Sequence, residues 1–357
     1  MGSLAKLLQC LLFVAVIDSV PVSALPDSCD NDADHHSLGR RSLIQAWNRN
    51  VQASELELSS QPEAPTGTAK SILPPQLYQL GLNVMGNEPL LDAVVANTAT
   101  GKAPYGGVNL DCRMVNGDGV DADDVYGVDS LDQILDKNGM MNMLDIGGNY
   151  GRVSMAAFKR NPQKMRVIVV EPAPSTYFLL KWNLFLNNVP DLTWEQFSTG
   201  ITPGVYALQN GIGAVEGETK GLCYKPPFTM MSRMCDCAQV PADGSQCSNM
   251  VGRTIETLFN MFGPEPLSFV KMDCEGCEVN AMPAIAKLAG ETGRRIGRFG
   301  GELHAKGNEF EDMACKFQNG RWLVHVCFQA KSKKYDLVNV TERCQKGPSR
   351  VSCSDAA

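Results

Sequence analysis

From Gly139 onward, short apolar runs alternate with segments whose apolar residues recur at helical spacing, which predicts a mostly parallel α/β sheet. The strands read at Met141–Ile146, Arg166–Glu171, Gly204–Ala207, Leu267–Asp273, Arg298–His304, Trp322–Phe328 and Tyr335–Val340. Helices fill gaps at Arg152–Arg160, Pro174–Asn187 and Glu278–Ala289. The last two strands are joined by "QAKSKKYD", too short a stretch for a crossover, so an antiparallel edge hairpin is expected. Tyr177, Phe178, Trp182 and Phe185 form an apolar stripe at helical spacing and read as core.

Upstream the pattern is weaker. Residues 25–76 mix charge with Ser, Pro and Glu and read as a tail, with "SSQPEAPTGTAK" as linker and "SLIQAWNRN" as one short helix. His35 and His36 in that tail read as solvated. Residues 77–139 are expected to form a helical extension, with helices at Glu88–Ala96 and at Asp129–Lys137, the second capped by Ser130 and stopped at Asn138-Gly139. The acidic "NGDGVDADD" between them lacks EF-hand spacing and reads as a solvated loop. The α/β domain then spans 140–345 with a Cys-rich insertion at 221–250, and 346–357 is a C-terminal tail.

Residues 1–24 read as a signal peptide. Lys6 flanks the apolar stretch Leu7–Ile17, Asp18 and Pro21 interrupt it, and Val22-Ser23-Ala24 supplies a cleavage site. The destination expected is the secretory pathway, as a secreted or ER/Golgi luminal protein without a stable membrane span after cleavage. No internal apolar run approaches the ~20 residues of a membrane helix.

Composition narrows the choice further. Of 357 residues, 44% are hydrophobic and 20% charged, which excludes a disordered or fibrous chain. A net charge of −7, with no basic run, argues against nucleic acid as a primary partner. Removing Cys10 with the leader leaves an even number of the 13 cysteines, as disulfide pairing in an oxidising compartment requires. Cys223, Cys235, Cys237 and Cys247 sit in a Pro/Gly-rich stretch with few apolar residues. Disulfides are favoured over zinc there, because a single residue separates Cys235 from Cys237 and no His lies near. No metal is expected, and the pairing stays open. Asn339-Val340-Thr341 is an N-glycosylation acceptor sequence.

The chemistry concentrates in "MNMLDIGGNYGRVSMAAF". A strand ending near Asp145 runs into Gly147, Gly148 and Gly151, and a helix follows at once. Glycines allow positive φ and close backbone approach to a ligand, and the new helix points its free N–H groups at that ligand. Asn149 stands where a dinucleotide fingerprint needs its second glycine, so a nicotinamide dinucleotide is disfavoured. Glu171 closes the next strand about 20 residues past Gly151, where an acid can accept two ribose hydroxyls.

The Asp-Ile-Gly-Gly-Asn-Tyr-Gly pattern resembles motif I of class I S-adenosylmethionine-dependent methyltransferases. "LDIGGNYGRVS", "VIVVEPAPSTYFLLKWNLFLNN", "TIETLF", "LSFVKMDCEGCEVNAM" and "GELH" follow in the order and spacing of FkbM-type methyltransferases, across roughly residues 140–305. The resemblance implies a Rossmann-like, doubly wound sheet of about seven strands. It also implies S-adenosylmethionine as cofactor and methyl transfer to a hydroxyl, with a small molecule or a glycan as acceptor. The cofactor-binding residues implied are Asp145 (beside the methionine part), Gly147, Gly148, Asn149, Gly151, Glu171 and Pro172. "GIGAVEGE" is expected near the adenine. Gly148 stands where the family commonly has Ala, and the Cys-rich insertion is a further departure.

Asp273 and Glu275 follow a buried strand and could orient an acceptor hydroxyl, take its proton or hold a cation; Glu275 could equally cap the next helix. Glu302 and His304 share one face of a strand, which makes His304 a candidate general base oriented by an acid. The catalytic set is therefore Asp273, Glu275 and His304. His325 reads as packed, and Cys274 and Cys277 read as packing or disulfide partners rather than a redox pair. Two rivals stand beside the enzyme reading: a non-catalytic secreted binding module on the same fold, and an NAD(P)-dependent oxidoreductase.

Overall fold

The computed structural model describes residues 67–116, 126–128, 131, 139–226, 232–239 and 245–301, together with the backbone of strand residues up to 303 and over 323–332 and 335–339. The leader, most of the tail, most of the Asp129–Lys137 segment, the acidic loop beyond Asn116, His304 and the C-terminal tail lie outside these residues.

The folded part starts earlier than the sequence indicated. Helices α1 (Ala69–Ile72), α2 (Pro75–Met85) and α3 (Glu88–Ala96) precede an antiparallel pair, β1 (Thr98–Lys102) and β2 (Asp111–Val115). Residues 69–76 thus belong to the fold rather than to a tail, and the 77–139 extension is not helical throughout. Asn87 caps α3 by accepting from Leu90 N at 2.8 Å, while Gly86 ends α2 in the left-handed region. Leu77, Leu91, Val94 and Val95 from these helices share a core with Phe178 and Trp182. That confirms most of the aromatic stripe as core. Phe185 is the exception, standing 46% exposed.

The main sheet is built from β3 (Met141–Ile146), β4 (Met165–Val170), β5 (Gly204–Leu208), β10 (Leu267–Met272), β11 (Ile296–Leu303), β12 (Leu323–Ser332) and β13 (Tyr335–Asn339), ordered β13-β12-β11-β10-β3-β4-β5. Pairing is parallel from β12 through β5, and β12–β13 is the antiparallel hairpin expected at the edge. Every residue of β3, β4 and β10 is buried, as for strands covered on both faces. Alternate residues feed two cores. Leu144, Ile146, Ile168, Val170 and Met272 pack with α6 (Trp194–Ser198), α7 (Ile255–Asn260) and α8 (Glu278–Thr292). Met143, Val167, Val169 and Phe269 pack with α4 (Arg152–Arg160) and α5 (Pro174–Leu186). Strand order reverses between β3 and β10, the position where α/β sheets bind ligands outside the strands' carboxyl ends.

A second sheet carries β6 (Gly211–Ile212), β7 (Thr219–Tyr224), β8 (Arg233–Cys235) and β9 (Gln246–Arg253) in the order β6-β9-β7-β8. Among the described residues, no helix is long and apolar enough to cross a membrane.

Candidate functional site

The glycine turn leaves β3 at the reversal point. Gly147 and Gly151 have φ of 79° and Asn149 of 46°, and Gly151 is the N-cap of α4. The absent side chains make room for the protein itself. A Cβ on Gly147 would lie 1.7 Å from the Asp273 carbonyl oxygen, and one on Gly148 would lie 2.2 Å from Val169 Cγ2. Gly151 would press on Leu180 Cγ at 3.2 Å. The turn's amides also have partners within the chain. Gly147 N and Gly148 N donate to Val170 O at 2.9 and 3.0 Å, Asn149 N donates to Glu171 Oε2 at 2.9 Å, and Gly151 N donates to Gly148 O at 2.8 Å. The glycines that the sequence reading assigns to a ligand also serve strand–helix and loop–loop packing.

Glu171 follows β4, with its own amide on Leu208 O at 3.0 Å. Pro172 turns the chain so that Ala173 N reaches Glu171 Oε1 at 3.0 Å. Each carboxylate oxygen therefore holds one backbone N–H and keeps a second lone pair. Burial pushes the Glu171 pKa up to about 7, against the opposing pull of the Ala173 and Asn149 amides and of Lys271. Beside it, Asn149 Oδ1 is buried without a hydrogen-bond partner.

Asp145 sits deeper than a ligand contact requires. It is wholly buried, accepts from Ser154 Oγ at 2.6 Å, and pairs with Lys271 Nζ at 3.1 Å. Asp145 and Lys271 are register partners on β3 and β10, so their side chains share the face under α4. Lys271 also donates to Gly147 O. Burial opposes the Lys271 charge, yet the carboxylates of Asp145, Asp273 and Glu171 outweigh it and hold its pKa above the ordinary lysine value. Asp145 therefore braces the turn through Ser154 and Lys271, where the family resemblance had put it against the cofactor. The sequence reading carried Lys271 only within the family-like stretch "LSFVKMDCEGCEVNAM" and gave it no role, although a lone Lys in the apolar run "LSFVKM" was the available signal.

Asp273 does come together with the turn. Asp273 N donates to Ile146 O at 3.0 Å, and Asp273 Oδ2 accepts from Tyr126 Oη at 2.8 Å. Glu275 is exposed and has a left-handed φ of 55°. The N-cap of α8 is Cys277 rather than Glu275. Fully buried Glu278 gathers the loop, its carboxylate accepting from Cys274 N at 2.9 Å and Gly276 N at 2.8 Å. Cys274 and Cys277 form a disulfide across the same loop. Glu302 is described in backbone only and His304 lies outside the described residues.

The insertion holds two further disulfides, Cys223–Cys235 and Cys237–Cys247, the pairing that the sequence left open. They adjoin, with Cys235 Sγ 3.5 Å from Cys247 Sγ. "GIGAVEGE" joins the same small sheet: β6 pairs with β9, and Glu216 accepts from Arg253 Nη1 and Thr254 N at 2.5 and 2.9 Å. No protein-family model, curated protein or solved structure matches this chain.

Proposed function

We propose that this chain is an S-adenosylmethionine-dependent methyltransferase of the FkbM type, on a Rossmann-like doubly wound sheet, acting on a hydroxyl of a glycan or small metabolite. The observation that carries the reading is how the glycine turn uses its amides. A dinucleotide needs backbone N–H donors turned toward its diphosphate. Four amides of this turn already have partners inside the chain. What the turn offers a ligand is acceptors: the second lone pairs of Glu171 and the orphaned Oδ1 of Asn149. Acceptors suit ribose hydroxyls and an amine better than they suit phosphate, which favours a nucleoside cofactor without a phosphate group.

When bound, S-adenosylmethionine supplies an electrophilic methyl on its sulfonium. The chain's part is to bind, orient and move a proton. Glu171 would hold the ribose hydroxyls, with Pro172 setting its direction. Asp273, which adjoins the turn, and Glu275 two residues on would orient an acceptor hydroxyl and take its proton. His304 keeps its proposed role as general base. The three disulfides fit passage through the secretory pathway, the destination proposed for the mature chain. The test is calorimetry with S-adenosylhomocysteine against NAD. Binding of the first but not the second is expected, and Glu171→Ala should weaken it at least tenfold. Preferential NAD binding, or affinity unmoved by Glu171→Ala, overturns the reading.

A further inference from the structure

Between β10 and α8, five residues carry the Asp273 and Glu275 carboxylates past the glycine turn. Three independent restraints hold this short loop. Asp273 N is tied to Ile146 O, placing the Asp273 carbonyl where Gly147 has no side chain. Glu278, fully buried in the first turn of α8, gathers the Cys274 and Gly276 amides onto one carboxylate. The Cys274–Cys277 bond closes the ring around Glu275 and Gly276, whose φ values are 55° and 114°. A non-glycine residue in the left-handed region is strained and persists where its surroundings over-determine it, which is characteristic of functional sites.

We infer that the Cys274–Cys277 disulfide and Glu278 are positioning residues: they hold the Asp273–Gly276 loop as the second wall of the cofactor turn. The inference rests on the methyltransferase reading of that turn. It makes the wall sensitive to dithiols. A dithiol supplies two electrons to the Cys274–Cys277 bond and closes to its own disulfide, while the two cysteine sulfurs take up two protons.

The test is hydrogen exchange on the full chain, with S-adenosylhomocysteine calorimetry alongside. In Cys274→Ser/Cys277→Ser, exchange of the amides over 273–278 and over 146–149 should quicken at least tenfold, with the other strands of the main sheet unchanged. S-adenosylhomocysteine affinity should fall at least fivefold. Glu278→Gln, which keeps one acceptor oxygen, should lie between wild type and Glu278→Ala. Dithiothreitol should bring the wild type to the double variant's exchange in these two segments and leave the variant unchanged there. Unaltered exchange over 146–149 in the double variant overturns the inference. If the wild type fails to bind S-adenosylhomocysteine, the methyltransferase reading falls, and the exchange data still decide whether the loop braces the turn.

Discussion

The carbonyl oxygen of Asp273 occupies the space that a side chain on Gly147 would need, 1.7 Å from where its Cβ would stand. The obstacle is backbone, so it cannot swing aside, and the φ of 79° at Gly147 adds its own cost to any substitution. Gly147→Ala is expected to lose about 3 kcal/mol or more. Gly151→Ala, at the same φ but facing only the flexible Leu180 side chain, should lose about 1–2 kcal/mol. Denaturant unfolding of the two variants checks the order, and equal losses would count against a backbone clash at Gly147.

Lys271 on β10 offsets the charges of Asp145, Asp273 and Glu171, and it is almost wholly buried. Removing it takes that counter-charge from all three carboxylates. Lys271→Met is expected to cost about 3–5 kcal/mol, the usual penalty for breaking a buried pair from one side. Asp145→Asn in the same background should restore part of it. The coupling is read from a double-mutant cycle in denaturant, where additive losses would refute it.

Much of this frame was legible in the sequence because each strand of the main sheet is bounded by the residues that stop it. Met141–Ile146 and Arg152–Arg160 came through residue for residue, since Gly147 to Gly151 can be neither strand nor helix. The β1–β2 pair was missed for the opposite reason. "TATGK" and "DCRMV" carry no strong alternation, and what holds them is tertiary: Asn183 Oδ1 accepts from Arg113 N at 2.5 Å and Asn187 Oδ1 from Asp111 N at 3.1 Å. Chain position put Glu171 and Asp273 at strand ends beside the glycine turn, but no local pattern could tell that Glu278 gathers the loop while Glu275 stays exposed. That division depends on the disulfide and on the left-handed φ at Glu275.

Glu171 makes stability depend on pH with a definite sign. Its folded pKa of about 7 lies above the ordinary value of 4.5, so the folded chain binds the extra proton between those limits. Its contribution is thus complete below about 4.5 and is lost as pH rises through 7, to the extent of about 3 kcal/mol at most. Glu171→Gln should flatten this component between pH 5 and 8, measured as the difference in unfolding free energy from wild type. The same titration bears on ligand binding. An ionised carboxylate accepts ribose hydroxyls more strongly than a protonated one, so S-adenosylhomocysteine affinity should weaken as pH falls below 7. A parallel slope in wild type and variant would remove Glu171 as the cause.

The Cys-rich sheet should prove the least autonomous part of the fold. Its apolar anchor is small, with Leu222, Tyr224 and Met250 packing on Ala173, while Met234 and Val251 stand 51% and 41% exposed. Two disulfides of sequence separation 12 and 10 replace the missing core, and loops of that size contribute about 3 kcal/mol each in the chain-entropy account. The centre of the main sheet does not depend on them, since β3, β4 and β10 bury both faces. Cys223→Ser/Cys235→Ser/Cys237→Ser/Cys247→Ser is therefore expected to open residues 219–253 to proteolysis while β3, β4 and β10 keep their hydrogen-exchange protection. Mass mapping of the first cleavages distinguishes this from global unfolding. Cuts scattered through the main sheet would mean that the two sheets stand or fall as one unit.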